Sequence, residues 1–414
     1  SKEGMPLNGF GEISRRSFRM RRYDFAFLVC LVAVLVGGCF SKDKVVHNNS
    51  QNSVGTSQVA KDDGGDDKNG GDDKEDSDLF IMRVEVLDVP GRDVPVQIFK
   101  HPDSQIPNRF SIDCDSDGKW EVRDETAAEA SEGNPYIYRC QYQETGEYTI
   151  RIKGHVDRLG LMCGEPNAGD VTYHFHALSI DQWGTNQWQS MEDFSSFCTK
   201  MHINAKDSPD LSQCRSLRGM FLGAESLNEP LETWDVSNIT NMRGMFEDVK
   251  AFNQPLEKWD VSNVTDMRLM FYGAKTFNQP LEKWDVSNVT DMDDMFFSAK
   301  SFNQPLEKWN VSNVTNMSGM FMGASAFNQP LEKWNVSNVT NMSGMFEEAK
   351  SFDQPLEKWD ISNVTNMSEM FEGADSFAQS LSAWRSNPNF EREDDFRDCS
   401  EAADDEDEPM PYDP

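Results

Sequence analysis

The chain has 414 residues, 27% of them charged, and carries a formal net charge of −32. That charge excludes electrostatically driven nucleic-acid binding, which needs Lys and Arg to displace counterions, and argues equally against anionic membrane surfaces as partners. No G-x-S-x-G, H-E-x-x-H, Walker A or G-x-G-x-x-G pattern occurs, so the sequence does not read as an enzyme.

Residues 1–38 read as a secretory signal. Arg15, Arg16, Arg19, Arg21 and Arg22 precede the apolar run FAFLVCLVAVLV, which gives way to Gly37, Gly38 and Cys39. The run is shorter than the roughly 20 apolar residues a membrane span needs. Residues 1–19 look like an over-extended start, with Met20 the more natural initiator. The cysteine after two small residues resembles a bacterial lipobox, which implies cleavage before Cys39, lipidation of its thiol and a lipid-anchored protein on a bacterial cell surface. In a Gram-negative cell that surface is the outer membrane.

Residues 39–78 follow as an acidic tether with almost no apolar content. Its GGDDKNGG stretch lacks the Lys-Ser/Thr ending of a phosphate loop.

Residues 79–165 show strand periodicity. Phe110, Ile112 and Cys114 alternate with polar neighbours, as do Tyr138, Cys140 and Tyr142, then Tyr148, Ile150 and Ile152. The expected fold here is an all-β sandwich. FSIDCDSDGKWE followed by ETGEYTIRIKG is similar to the PKD-like or immunoglobulin-like modules that precede repeats in some surface proteins. Cys114 and Cys140 share the inward parity of their strands, so a disulfide joins them in this reading, the alternative being buried free thiols. Spacing leaves the pairing of Cys163, Cys198, Cys214 and Cys399 open. Asp113, Asp115, Asp117, Glu121 and Asp124 follow a D-x-D-x-D-G spacing that suits calcium, against the alternative of a solvated acidic turn. His174 and His176 share a strand face, but no third zinc ligand accompanies them.

Residues 166–216 form a divergent cap: Trp188, Met191, Phe194 and Cys198 reproduce Cys214, Leu217, Met220 and Ala224 at an offset of 26. From 217 to 390 the chain repeats every 25 residues, with Trp234, Trp259, Trp284, Trp309, Trp334, Trp359 and Trp384 as markers. A fixed period of this length is the signature of stacked repeats that cannot bury their apolar faces alone. Within one copy, Leu256, Trp259 and Val261 predict a short strand. Met267, Met270, Phe271 and Ala274 are spaced i, i+3, i+4, i+7 and predict a two-turn amphipathic helix with Thr265 as N-cap. The expected class is therefore mixed: an all-β sandwich followed by an α/β solenoid of 25-residue strand-helix repeats. Residues 391–414 read as an acidic disordered tail.

Units such as FNQPLEKWDVSNVTDM, with the cap SIDQWGTNQWQSME, resemble the BspA family of bacterial leucine-rich-repeat surface proteins, whose 25-residue version was first noted in Mycoplasma lipoproteins. The resemblance implies a leucine-rich-repeat-like fold and adhesion to a host, matrix or cell-surface protein or glycan. A structural or shielding protein without a specific ligand is the alternative, as is an accessory glycan-binding module. No cofactor is implied beyond the calcium considered above. Strand parity places Lys258, Asp260, Lys283, Asp285, Lys308, Lys333 and Lys358 on an outward, concave sheet face, a candidate ligand surface, the alternative being mutual neutralisation of Lys and Asp along the ladder. The Asn-x-Thr triplets at Asn238, Asn263, Asn288, Asn313, Asn338 and Asn363 read as a structural ladder rather than as glycosylation acceptors.

Overall fold

Alternating burial is what turns the first half of the chain into sheets. In the strand Phe80–Val86 (β1) every second side chain is buried, so Phe80, Met82, Val84 and Val86 face the core. The remaining strands are Asp93–Phe99 (β2), Arg109–Asp113 (β3), Val122–Thr126 (β4), Tyr136–Gln141 (β5), Gly146–His155 (β6), Arg158–Leu161 (β7), Phe175–Gln182 (β8) and His202–Ile203 (β9). They build a six-stranded sheet, β4-β3-β6-β1-β8-β9, and a three-stranded sheet, β5-β2-β7. Pairing is antiparallel except for β8 and β9. Phe80 stands opposite Ile152 and Val84 opposite Tyr148, while Val94 stands opposite Cys140 in the smaller sheet. This computed structural model describes residues 76–388 and 390, apart from 128, 129, 132, 162 and 164–174. The signal-like segment, Cys39, the tether up to residue 75, His174, Cys399 and the acidic tail lie outside the described residues, while the end of the tether, Asp76–Asp78, forms a short 3-10 turn.

Strand β8 comes from the segment expected to cap the repeats, yet it pairs along β1. Phe80 packs against Trp183, Trp188 and Phe194, and one apolar core runs unbroken from Phe80 to Trp384. The covalent links follow the same lines. Cys114, just after β3, bonds Cys140 in β5 and so ties the two sheets, with an S–S distance of 2.02 Å. Cys163, just after β7, bonds Cys198 and fastens the sheets to the first copy of the array. Cys214 is the one free cysteine among the described residues; burial pushes its thiol up to about 12.

The array overturns the strand-helix expectation. Among the described residues there is no α-helix, and the segment Leu256–Val261 forms turns rather than a strand. Met267, Met270, Phe271 and Ala274 are all fully buried, as the spacing requires, but their backbone does not coil. The N–H groups of Met267, Leu269, Phe271 and Gly273 donate to Asp291, Asp293, Met295 and Phe297 of the next copy at 2.7–3.3 Å. Those of Met270, Tyr272 and Ala274 close tight turns onto residues three back. Leu269 and Gly273 sit at φ +60° and +65°, in the left-handed region no right-handed helix can contain. The same two columns are left-handed in every copy, and several hold glycine, as at Gly319, where an added Cβ would lie 2.0 Å from Asp294 Oδ1. Neighbouring copies thus offer carbonyls at every second residue, and bonds between copies replace bonds within a helix. Single parallel bridges link Ser216, Asn241, Asp266, Asp291, Asn316, Asn341 and Asn366 in one column. The repeats are a stack of turns, and the α/β solenoid is withdrawn.

Identical side chains then fall in register. Phe271, Phe296, Phe321 and Phe346 stack at 5.5–5.7 Å between centroids, and Trp309, Trp334 and Trp359 at 6.3–6.5 Å. Each of these indoles also donates Nε1–H to a leucine carbonyl of the preceding copy, Trp309 to Leu281 at 2.9 Å. The cap residues enter the same scheme: Met191, Asp193, Ser195 and Phe197 donate to Ser216, Arg218, Met220 and Leu222.

Candidate functional site

Five consecutive copies write Leu-Glu-Lys-Trp, and the burial of Leu and Trp forces Glu and Lys outward. Because the segment is a turn, Lys258, Asp260, Lys283, Asp285, Lys308, Lys333 and Lys358 do not stand on a concave sheet; the sheet assignment is corrected, while the rows themselves remain. Lys258 pairs with Glu232, Lys283 with Glu257, Lys308 with Glu282, Lys333 with Glu307 and Lys358 with Glu332, at 2.9–3.2 Å. The lysine side chains are 72–74% exposed, so each ammonium keeps donors turned to solvent.

The aspartates take a different partner from the one strand parity suggested. Asp260, Asp285 and Asp360 accept the N–H of the serine two residues on at 3.0–3.1 Å, and the asparagines Asn310 and Asn335 do the same at 3.2 Å. Hydrogen bonds from those serines hold the Asp285 and Asp360 carboxyls below the usual carboxylate range. Beside them, Asn263 and its counterparts donate to a serine carbonyl of the preceding copy, and Thr265 Oγ1 donates to the Thr240 carbonyl. The asparagine column is exposed and serves as a ladder between copies. What results is a polar strip, repeated copy after copy at a 25-residue step.

The acidic loop after β3 gathers Asp113, Asp115, Asp117 and Glu121, whose carboxylate oxygens lie within 4.8 Å of one another. Asp124 is not among them; it stands on β4 and pairs with Arg109. Asp113 is fully buried, accepts the N–H groups of Ser116 at 2.8 Å and Gly118 at 3.3 Å, and is paired with Arg151. Glu121 accepts the N–H of Cys114 at 2.8 Å, and burial raises its carboxyl above the usual range. Lys119 pairs with Asp117. The loop therefore holds two cationic side chains of the chain itself, and calcium would share Asp113 with the Arg151 guanidinium. His176 stands on β8, with its imidazole lowered by burial and by Lys200.

Sequence reasoning missed a second buried carboxylate. Asp157, fully buried between β6 and β7, accepts from Ser104 Oγ at 2.7 Å, from the His101 N–H and His155 Nε2 at 3.0 Å, and from Lys100 Nζ at 3.0 Å. Its own N–H donates to Asn108 Oδ1, and its carbonyl accepts from Gln189, so one residue pins the loop after β2 and the start of the array. Burial opposes ionisation here, but the bonds from His155, Ser104, Lys100 and His101 outweigh it and hold the carboxyl at about 2. A depressed carboxyl contributes stability above its unfolded pKa and loses it as pH falls through the folded one. Asp157→Asn should therefore cost about 2 kcal/mol at neutral pH, with the difference from the parent shrinking between about pH 4 and pH 2. Urea unfolding across that range checks it; a pH-independent difference would show that the charge of Asp157 does not matter.

Against this geometry, a family model described as "Mycoplasma protein of unknown function, DUF285" matches residues 189–309 and 295–407, more than half of the chain. The chain belongs to that family. No curated protein and no solved structure matches it. The family match covers the array and leaves the two-sheet module almost entirely outside it. No leucine-rich-repeat or PKD-like relationship is supported by these comparisons. Among the described residues no helix is long and apolar enough to cross a membrane.

Proposed function

We propose that this protein is an exported lipoprotein, anchored through Cys39 on a bacterial surface, whose repeat array binds a host, matrix or cell-surface polymer by many weak contacts. It is a binding protein rather than an enzyme. The observation that carries this reading is the row of five Lys–Glu pairs, with the lysines about three-quarters exposed and identical from copy to copy. A surface with a constant step suits a ligand that repeats, because engaging one unit raises the effective concentration of the next. Export is supported by the signal-like N-terminus, by membership of a Mycoplasma family, and by two disulfides, which persist in oxidising surroundings. Two acyl chains would hold the protein where a single one binds only marginally.

The test replaces Lys283, Lys308 and Lys333 together by Gln, which removes the charge without setting Glu against Glu. Exposed pairs are worth up to about 1 kcal/mol each, so circular dichroism and melting should stay close to the parent. Adhesion to cells, fibrous matrix proteins or glycan chains should fall by about tenfold or more. Undiminished adhesion by the folded variant would remove the lysine row as the binding surface and leave it a structural ladder.

A further inference from the structure

The copies differ mainly on the side of the tight turns, and one column there changes its chemical character from copy to copy. Leu222, Glu247, Tyr272, Phe297, Met322, Glu347 and Glu372 succeed one another at 25-residue steps. Their register is fixed by the bonds between copies: Gly273 N–H to the Phe297 carbonyl, Ser298 to Met322 and Gly323 to Glu347, each at 2.7 Å. In three consecutive copies the column is apolar and half-buried. Tyr272 and Phe297 stack at 4.3 Å, nearly parallel at 4°. Met322 continues the strip, its sulfur 3.8 Å from where a Cβ on Gly344 would stand. These three side chains point outward and do not belong to the array's core.

Surrounding charge is as uneven as the column itself. The copy holding Met322 has no charged residue from Asn316 to Ser325, and glycine or serine stands at Ser318, Gly319 and Gly323, so the surface there is low and neutral. On one side lie Asp291, Asp293 and Asp294; on the other lie Glu347 and Glu348, followed by Glu369 and Glu372. Over the four stretches 291–300, 316–325, 341–350 and 366–375 there are eight acids and two lysines. The equivalent stretches 216–225, 241–250 and 266–275 hold four acids against five basic residues. An apolar strip bracketed by carboxylates is complementary to a segment that presents apolar side chains between basic ones.

We propose that this strip, centred on Phe297 and Met322, is a docking surface for a cationic amphipathic segment of a partner protein, apart from the Lys–Glu row and independent of its role. The apolar side chains of the segment cover Tyr272, Phe297 and Met322, while its lysines or arginines reach Asp291, Asp293 and Asp294 in the Phe297 copy and the glutamates of the copies after Met322. Burial of the strip supplies affinity, and the flanking carboxylates set the orientation and speed of encounter.

Fluorescence anisotropy with the intact protein and a short labelled peptide alternating lysine with leucine tests this. Phe297→Gln with Met322→Gln should weaken binding about tenfold, as should Asp293→Asn with Asp294→Asn. The glutamines are isosteric with the glutamates the column already carries at Glu247 and Glu347, so melting curves should stay close to the parent. Glu257→Gln with Glu282→Gln removes the same charge from the Lys–Glu row and should leave binding unchanged. A peptide with serine in place of leucine should bind about tenfold more weakly to the parent. Equal weakening by both charge-neutralised pairs, or equal binding of the serine peptide, would reduce the interaction to attraction by net charge and overturn the proposal. So would undiminished binding by the glutamine pair, and so would no detectable binding of the lysine–leucine peptide to the parent.

Discussion

Trp309→Ala should destabilise the protein by about 3–5 kcal/mol, the range for losing a large aromatic side chain from a packed core. Trp309 is buried, stacks on Trp334 at 6.5 Å and lies 6.4 Å from Phe296. Two losses coincide in the alanine variant: a cavity opens between copies, and the Leu281 carbonyl loses the indole N–H that bonds it at 2.9 Å. Trp309→Phe keeps most of the ring but not the donor; the Leu281 carbonyl still accepts the Trp284 N–H at 3.0 Å, so the variant should cost about 1 kcal/mol from the lost bond together with a smaller packing loss. Chemical unfolding followed by far-ultraviolet circular dichroism measures both. A loss under about 1 kcal/mol for the alanine variant would mean that the copies do not depend on this column.

Removing the Cys163–Cys198 bridge, as Cys163→Ser with Cys198→Ser, should cost about 3–4 kcal/mol by loop closure, since it spans 35 residues. The effect should be local. The bridge fastens the two-sheet module to the first copy, alongside the bonds from Leu161 N–H to the Phe194 carbonyl and from Gln189 N–H to the Asp157 carbonyl. Limited proteolysis under reducing and oxidising conditions should place the new cleavage near residues 162–200 in the variant. Cleavage confined to the far end of the array, with unchanged stability, would show that noncovalent packing alone holds the junction.

Much of this molecule was legible in the sequence, for reasons that particular residues make plain. Tryptophan every 25 residues announced stacking, and the positions Met267, Met270, Phe271 and Ala274 were rightly read as buried. Alternation along Phe110–Ile112 and Tyr148–Ile152 placed strands that exist. The spacing i, i+3, i+4, i+7 misled because it reports which side chains share a face and says nothing of which carbonyl each N–H will choose. A run of tight turns with a left-handed residue at every fourth position presents the same face as a helix. Glycine at Gly219, Gly244, Gly319 and Gly344, and again at Gly223, Gly273, Gly323 and Gly373, was the available warning, since each costs a helix about 1 kcal/mol relative to alanine. The lysine row is visible too, but the aspartate column that would neutralise it along the ladder does not pair with it; the partner of Lys258 is Glu232, one copy back. The hub at Asp157 left no local trace: Lys100, His101, Ser104 and His155 are brought to it only by folding.

The direction of the bonds between copies has an electrical consequence. Along the Met267–Gly273 side, backbone N–H groups point toward the following copy. Along the other sides the donors point toward the preceding one: Thr265 N–H to the Thr240 carbonyl, Asn278 N–H to Asn253 Oδ1, Asn263 Nδ2 to the Ser237 carbonyl and the Trp259 indole to the Leu231 carbonyl. These two sets of dipoles oppose each other. A bundle of parallel helices would gather partial charge at its two ends, whereas this stack cancels most of its own axial polarity, much as strand dipoles alternate in a sheet. Side chains such as Glu369, Glu372 and Asp375 accordingly weigh more in the potential at its last described copies than they would at the end of a helix bundle.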